Sequence, residues 1–212
     1  MNQDKGSQNT EQNILNAAEK VFLEKGFDRA TTTEIARLAG VTHAMLHYYY
    51  RTKENLFAKI FSTKVEELVG SLLFILSQDM PFRDKIKHGI EAHFDYLAQN
   101  PKLPLFIVNE FLLHIGHVKT FQPSILITVN QLYTSFDSDI KQELVLGNIR
   151  PITAENLLYN ILALNVCAFI AQPAITELFE WNNGDYQQFV KERKKENVET
   201  ILNGLKPYEG NE

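Results

Sequence analysis

The run of residues 31–56, TTTEIARLAGVTHAMLHYYYRTKENL, constrains the fold more than any other. Two short apolar-periodic segments flank Gly40-Val41, and each opens on a hydroxyl able to cap a helix. Thr31 and Glu34 form the Thr-x-x-Glu pattern of a capping box, in which each side chain satisfies an orphan backbone N–H. Ile35, Leu38 and Ala39 then face inward, Gly40 offers the left-handed residue that ends the helix, and Thr42 caps a third helix over 43–49. Helices joined by so tight a turn meet steeply, so the residue at their crossing must be small, and Ala36 meets that need. A first helix to carry the pair lies at 11–25, where Ile14, Ala17, Ala18, Val21 and Phe22 form one stripe. Gly26 stands where a left-handed cap would end it, with Phe27 placed for the accompanying contact. Ile35, Ala39, Val41, Leu46 and Tyr49 or Tyr50 lock the hairpin onto that helix.

This arrangement leaves the N-terminal half of the third helix free to project, the geometry by which a recognition helix enters a DNA major groove. The net charge of −5 and pI of 5.7 run against a nucleic-acid binder, since such domains tend to be basic. The distribution softens the objection. Residues 1–55 hold seven Lys/Arg and seven Asp/Glu, so the whole excess lies behind a neutral head, which orients the head toward phosphate. The single cysteine, Cys167, excludes an intrachain disulfide and a cysteine metal cluster, and fits a reducing cytoplasm. The longest apolar stretches, 68–76 and 161–171, are too short to span a bilayer and are broken by Gly70 and Asn165. The opening MNQDKGSQNT has no apolar core, so it is not a signal peptide. A cytoplasmic protein without membrane contact and without a cofactor is expected.

Helical periodicity continues along the chain with no strand alternation. Thr52 caps a fourth helix from Lys53 to about residue 77. Pro81 opens a helix to about 98, which Asn100-Pro101 ends, and 103–117 follows. Gln122-Pro123 begins a stretch to about 146 with a break near Ser135. Gly147-Asn148 is a turn, and Pro151 and Thr153 open a helix reaching about 179. Asn182-Asn183-Gly184 is a turn, and Asp185 caps a last helix to about 205. The expectation is an all-α chain of about nine helices. It divides into a disordered arm (1–10), a three-helix helix-turn-helix domain (11–55) and a larger helical domain (56–212).

The words LAGVTHAMLHYYYRTKENL, with AEKVFLEKGFDRATTTEIA before them, resemble the signature of the tetracycline-repressor (TetR) family of bacterial regulators. The close match covers residues 11–58; beyond it the likeness is one of architecture, down to the ILNGLKP tail. The resemblance implies a transcription regulator, most simply a repressor, that binds double-stranded DNA at a palindromic operator. Thr32 and Thr33 match phosphate-contacting positions, and Thr42 matches a cap that also reaches phosphate. His43, Ala44, Met45 and His47 match the base-facing positions. Tyr48 and Tyr49 match the aromatic and phosphate-contacting ones, and Lys53 a phosphate clamp. Tyr50 stands where the family usually has Phe, in the core. The chemistry agrees: hydroxyls and helix N-termini position without specifying, apolar Ala44 and Met45 suit thymine methyls, and the imidazoles donate or accept at base edges. His43 and His47 depart from the common residues at their positions, so operator sequence does not carry over from relatives.

The resemblance further implies a larger domain that binds a small-molecule effector and forms a homodimer through its late helices. The candidate interface residues are Leu158, Ile161, Asn165 and Phe169 on one helix and Val198, Ile201, Leu202 and Leu205 on the next. Such stripes serve a partner subunit or the chain's own interior equally well. KERKK (191–195) reads as a solvated helix face. A ligand pocket is expected around Phe94, Phe106, Glu110, Phe111 and His114. Glu110, His114 and His117 fall at i, i+4, i+7, a spacing open to a metal ion or to polar groups in an apolar pocket. The simpler reading, in which the two imidazoles satisfy hydrogen bonds or meet water, is preferred, because zinc takes more dedicated ligands. Two rivals stand beside the effector-released repressor. One is a regulator that works through DNA and protein contacts alone. The other is a helical enzyme or ligand carrier with an incidental hairpin, for which no nucleophile elbow, P-loop, Rossmann or metalloprotease motif is present.

Overall fold

The computed structural model describes residues 2–109 and 123–208, with side chains over 9–109 and 126–208. Among the described residues there are ten α-helices and no strand. They are α1 (Asn2–Arg29), α2 (Thr32–Ala39), α3 (His43–Tyr50), α4 (Lys53–Leu76), α5 (Phe82–Gln99), α6 (Leu103–Ile107), α7 (Pro123–Val145), α8 (Ala154–Ile170), α9 (Gln172–Leu178) and α10 (Asn183–Gly204). Two compact units emerge. One holds the chain to Glu67 with the described part of 105–126; the other holds 68–104 and the described residues from 127 onward. The division falls within α4, beyond the expected boundary at 55/56, because nothing after the Thr52 cap interrupts that helix.

In the first unit the expected stripe of α1 is the core: Ile14, Ala18, Val21 and Phe22 are all but fully buried. Their burial is worth roughly 1.5–3 kcal/mol for each large side chain. Phe22 and Phe27 both meet Phe57 of α4, at ring centroid separations of 5.2 and 4.9 Å. Helix α1 begins at Asn2, so residues 2–10 are helical where an unstructured arm was expected. Once the anchored turns around Ile14 exist, each added residue gains a hydrogen bond without a new nucleation cost. Gly26 takes φ 75 and ψ 171, which interrupts α1 one turn before its end and which a Cβ would not tolerate.

The Thr31 hydroxyl accepts from the Glu34 N–H at 3.2 Å, and Gly40 ends α2 in the left-handed region. The reciprocal half of the capping box does not form. Lys25 Nζ donates to both Glu34 oxygens at 2.7 and 2.8 Å. A full positive charge outcompetes a neutral backbone N–H for the carboxylate. Leu38 is exposed where an inward position was expected, because the close crossing at Ala36 turns the buried face toward Ile35 and Ala36.

The core of the second unit joins Phe82, Ile86 and Ile90 of α5, Phe136 and Ile140 of α7, Leu157 of α8 and Val198 and Ile201 of α10. The single helix expected over 153–179 is two. α8 stops at Ile170 and α9 leaves at 56°, because Pro173 has no N–H for the carbonyl four residues back. Asn182 rather than Asp185 caps α10. Its Oδ1 accepts from Gly184 and Asp185 N–H, and Asp185 Oδ2 accepts from the Asn182 N–H at 3.0 Å. The expected turn at 182–184 is therefore the first turn of a helix. α7 runs past Ser135 unbroken. No single helix among the described residues is long and apolar enough to cross a membrane; α8 and α9 pass that test only together, across their bend.

Candidate nucleic-acid interface

Helix α3 is short, and its hold on the unit comes from one side. Leu46 and Tyr50 are buried, and the turn before it is closed by the Val41 N–H donating to the Ala36 carbonyl at 3.0 Å. Thr42, in extended conformation, caps its start by accepting from the Met45 N–H at 3.2 Å. The remaining side chains face out. His43, Ala44, His47 and Tyr48 are exposed, Met45 is 41% exposed, and Tyr49 is half-buried with its ring edge-on to Tyr48 at 5.5 Å. Thr33 and Thr42 are exposed and Thr32 half-buried. Thr32 Oγ1 lies 3.0 Å from His43 Nε2, which ties the two helix starts together. Hydroxyls and free N-termini on such a face suit phosphate oxygens, and Ala44, Met45 and the imidazoles suit base edges.

Lys53 has a different position from the expected phosphate clamp. Its ammonium donates to the Phe27 and Ala30 carbonyls at 2.9 and 3.2 Å and sits 4.2 Å from the Phe27 ring centroid. A cation there meets the partial negative end of α1, so the charge is spent holding α4 onto that helix. Tyr50 is core, as expected, and its hydroxyl also works: it donates to Glu11 Oε1 at 3.0 Å, and burial with that carboxylate pushes the phenol well above its ordinary range.

The second unit holds a partly open cavity of about 290 Å³ among α4, α5, α7 and α8. Leu72, Ile75, Ile86, Gly89, Leu132, Phe136, Leu158 and Ile161 line it, with Lys85, His93 and Tyr133 as its polar members. Of the expected pocket residues, the two that are described, Phe94 and Phe106, are not part of its wall. Phe94 packs on Phe169 at 5.0 Å, and Phe106 belongs to the first unit, 5.6 Å from Phe57. Glu110, Phe111, His114 and His117 lie outside the described residues. The wall residues of α5 escaped notice although a signal was present: His93 interrupts the apolar stripe Ile86, Ile90, Phe94, Leu97. Burial pushes its imidazole down to about 4.

Most expected interface residues are committed to their own unit. Asn165, Phe169, Val198, Ile201 and Leu205 are buried, and Leu158, Ile161 and Leu202 pack against the same core. These faces of α8 and α10 turn toward α5, the reading that left the stripes to the chain's own interior. The outer face of α8 presents Tyr159 (72% exposed), Leu162, Ala163 and Cys167.

Residues 14–60 match the model of the family described as bacterial regulatory proteins, tetR family. The transcriptional activator FasR of Mycolicibacterium smegmatis is 30% identical over 87 residues, 41% of this chain and 40% of that protein. The fatty acid metabolism regulator protein of Bacillus subtilis is 25% identical over 92 residues, 43% of this chain and 47% of the relative. The chain thus matches less than half the length of these curated relatives. A TetR family transcription regulator from Marinobacter aquaeolei VT8 shares the fold at a TM-score of 0.70 and 18% identity, covering 98% of this chain and 100% of the other. The match falls on the head, where α1 to α3 present their outward face, and there, over residues 14–60, the chain is similar to the tetR family of bacterial regulatory proteins.

Proposed function

We propose that the chain is a sequence-specific DNA-binding transcription regulator, a repressor that works as a homodimer on a palindromic operator and is released by a small apolar effector. The observation that carries this is the outer face of α3: five side chains exposed from His43 to Tyr48, on a helix fixed from behind by Leu46 and Tyr50. Thr33 and Thr42 flank it as phosphate donors, Thr32 orients His43, and His43, Ala44, Met45 and His47 read base edges. Tyr48 and Tyr49 complete the contact surface. A dimer would place two such helices about 34 Å apart, one helical turn of DNA. The apolar outer stripe of α8 supports a homodimer, with Tyr159, Leu162, Ala163 and Cys167 in place of the buried residues first expected there.

The effector site in this reading is the cavity of the second unit. Its apolar wall fits a hydrophobic ligand, and the name of the Bacillus subtilis relative agrees with one. Leu68, Leu72 and Leu76 of α4 border the cavity, and the same continuous helix begins at Lys53 beside the head. Occupancy that moves α4 by a small amount need supply only about 1–3 kcal/mol of coupling to release DNA.

The test is fluorescence anisotropy on a labelled duplex from upstream of the chain's own gene, with excess non-specific DNA and varied salt. Binding that survives competitor and weakens steeply with salt is expected. Binding that competitor abolishes on that duplex and on a genomic operator library would overturn the reading.

A further inference from the structure

His93 lines the cavity while being only 5% exposed, and its hydrogen bonds fix which nitrogen carries the proton. Asn165 Nδ2 donates to the Ile90 carbonyl at 3.0 Å, an atom that can only accept. The amide orientation is therefore settled, and Asn165 Oδ1 accepts from Asn197 Nδ2 at 2.9 Å. The second hydrogen of Asn165 Nδ2 points to His93 Nδ1 at 3.0 Å, so Nδ1 is the acceptor and Nε2 bears the hydrogen. That Nε2–H takes no partner among the described residues, and it is not sealed from the space around it.

The other polar groups around the cavity are committed. Lys85 Nζ is paired with Asp139 Oδ2 at 3.1 Å, and the Tyr133 hydroxyl donates to Glu155 Oε1. Among the described residues the wall therefore offers no unpaired charge of either sign, and the His93 Nε2–H is its neutral donor without a partner. Burial keeps the imidazole neutral, so it does not supply a cation for an anionic ligand.

Resting on the reading of this cavity as the effector site, we infer that the effector is an uncharged, largely apolar molecule with a single hydrogen-bond acceptor, to which His93 Nε2–H donates. The volume sets its scale. At about 30 Å³ for each water-sized group, 290 Å³ holds on the order of ten. His93 is the specificity-determining residue, and Asn165 is a positioning residue that holds the ring in the donating tautomer. Asn165 lies on α8 and Asn197 on α10, so the same chain of bonds links the ligand's acceptor to both helices.

Four ten-carbon probes test this on the full chain: 2-decanone, 1-decene, decanoate at pH 8 and decylammonium. Calorimetric titration is expected to rank 2-decanone about tenfold above 1-decene, the worth of one neutral hydrogen bond. Decanoate and decylammonium should bind weaker than the ketone. In His93→Phe the preference for ketone over alkene should vanish while alkene binding persists. Nitrogen-15 spectra of the imidazoles report the same contact without a variant: the His93 Nε2–H resonance should move with 2-decanone and stay with 1-decene. Equal binding of ketone and alkene in the wild type, or decanoate bound as tightly as the ketone, would overturn the inference and leave the cavity as an effector site. Failure of all four probes to bind would overturn the effector reading along with it.

Discussion

His43 Nε2 lies 3.0 Å from Thr32 Oγ1, so the first side chain of α3 is held by the first residue of α2. Both are surface residues of the head, and their bond orders an imidazole that would otherwise sample several rotamers before meeting a base. Ordering such a side chain on binding costs about 0.5–1.5 kcal/mol. In Thr32→Val that cost returns at the moment of binding. Operator affinity should fall about fivefold, non-specific affinity should stay unchanged, and the melting temperature should stay within a degree or two. Anisotropy on specific and scrambled duplexes separates the possibilities. An equal fall on both would identify Thr32 as a phosphate contact and the bond to His43 as incidental.

Lys53 makes a sharper distinction. Its ammonium is engaged by the Phe27 and Ala30 carbonyls and the Phe27 ring. Lys53→Met should cost about 1.5–3 kcal/mol of stability, the range for hydrogen bonds to a charged group. The slope of log affinity against log salt should not change. A residue that neutralises a phosphate does the reverse: its loss lowers that slope by about one and leaves stability alone. Urea melts and salt titrations of the same variant decide between the two.

The head was legible because its constraints are local. Thr31, Gly40 and Thr42 act within four residues of themselves, and each takes the conformation its chemistry dictates. What escaped the sequence were choices among partners distant along the chain. Glu34 pairs with Lys25 rather than with its own helix start, and Lys53 reaches back to Phe27. Asn182 and Asp185 are both able to cap, and only the path of α10 decides between them. The cavity is harder still, since a void is a property of four helices together. Its one sign in the sequence is a set of polar residues at apolar positions: His93, Asn165 and Asn197.

His93 also sets a pH dependence. Within the fold its imidazole resists protonation down to about pH 4, whereas a free imidazole takes a proton near 6.5. Between those values the unfolded chain binds a proton that the folded chain refuses. The contribution is therefore intact above about pH 6.5 and lost as pH falls toward 4, by about 3 kcal/mol in all. Geometry agrees in sign, because a proton on Nδ1 would destroy the bond from Asn165. Urea melts at pH 7 and pH 4.5 should show the wild type losing about 2–3 kcal/mol more than His93→Gln. Parallel losses in the two proteins would show that the ring titrates normally in the fold.

Gly89 lies inside α5, where glycine costs about 1 kcal/mol relative to alanine because of the backbone freedom it gives up. That cost usually persists because a methyl would strike a neighbour. Here an added Cβ would meet nothing within 4 Å, since Gly89 borders the cavity. Gly89→Ala should therefore stabilise the chain by about 0.5–1 kcal/mol, raising the melting temperature by roughly 1–4 °C in calorimetry. Were the position packed as an ordinary core site, the same methyl would force its neighbours apart and cost about 1–3 kcal/mol. The sign of the change thus reports whether the cavity wall at α5 is open. A fall in melting temperature for Gly89→Ala would close the cavity there and take the effector site with it.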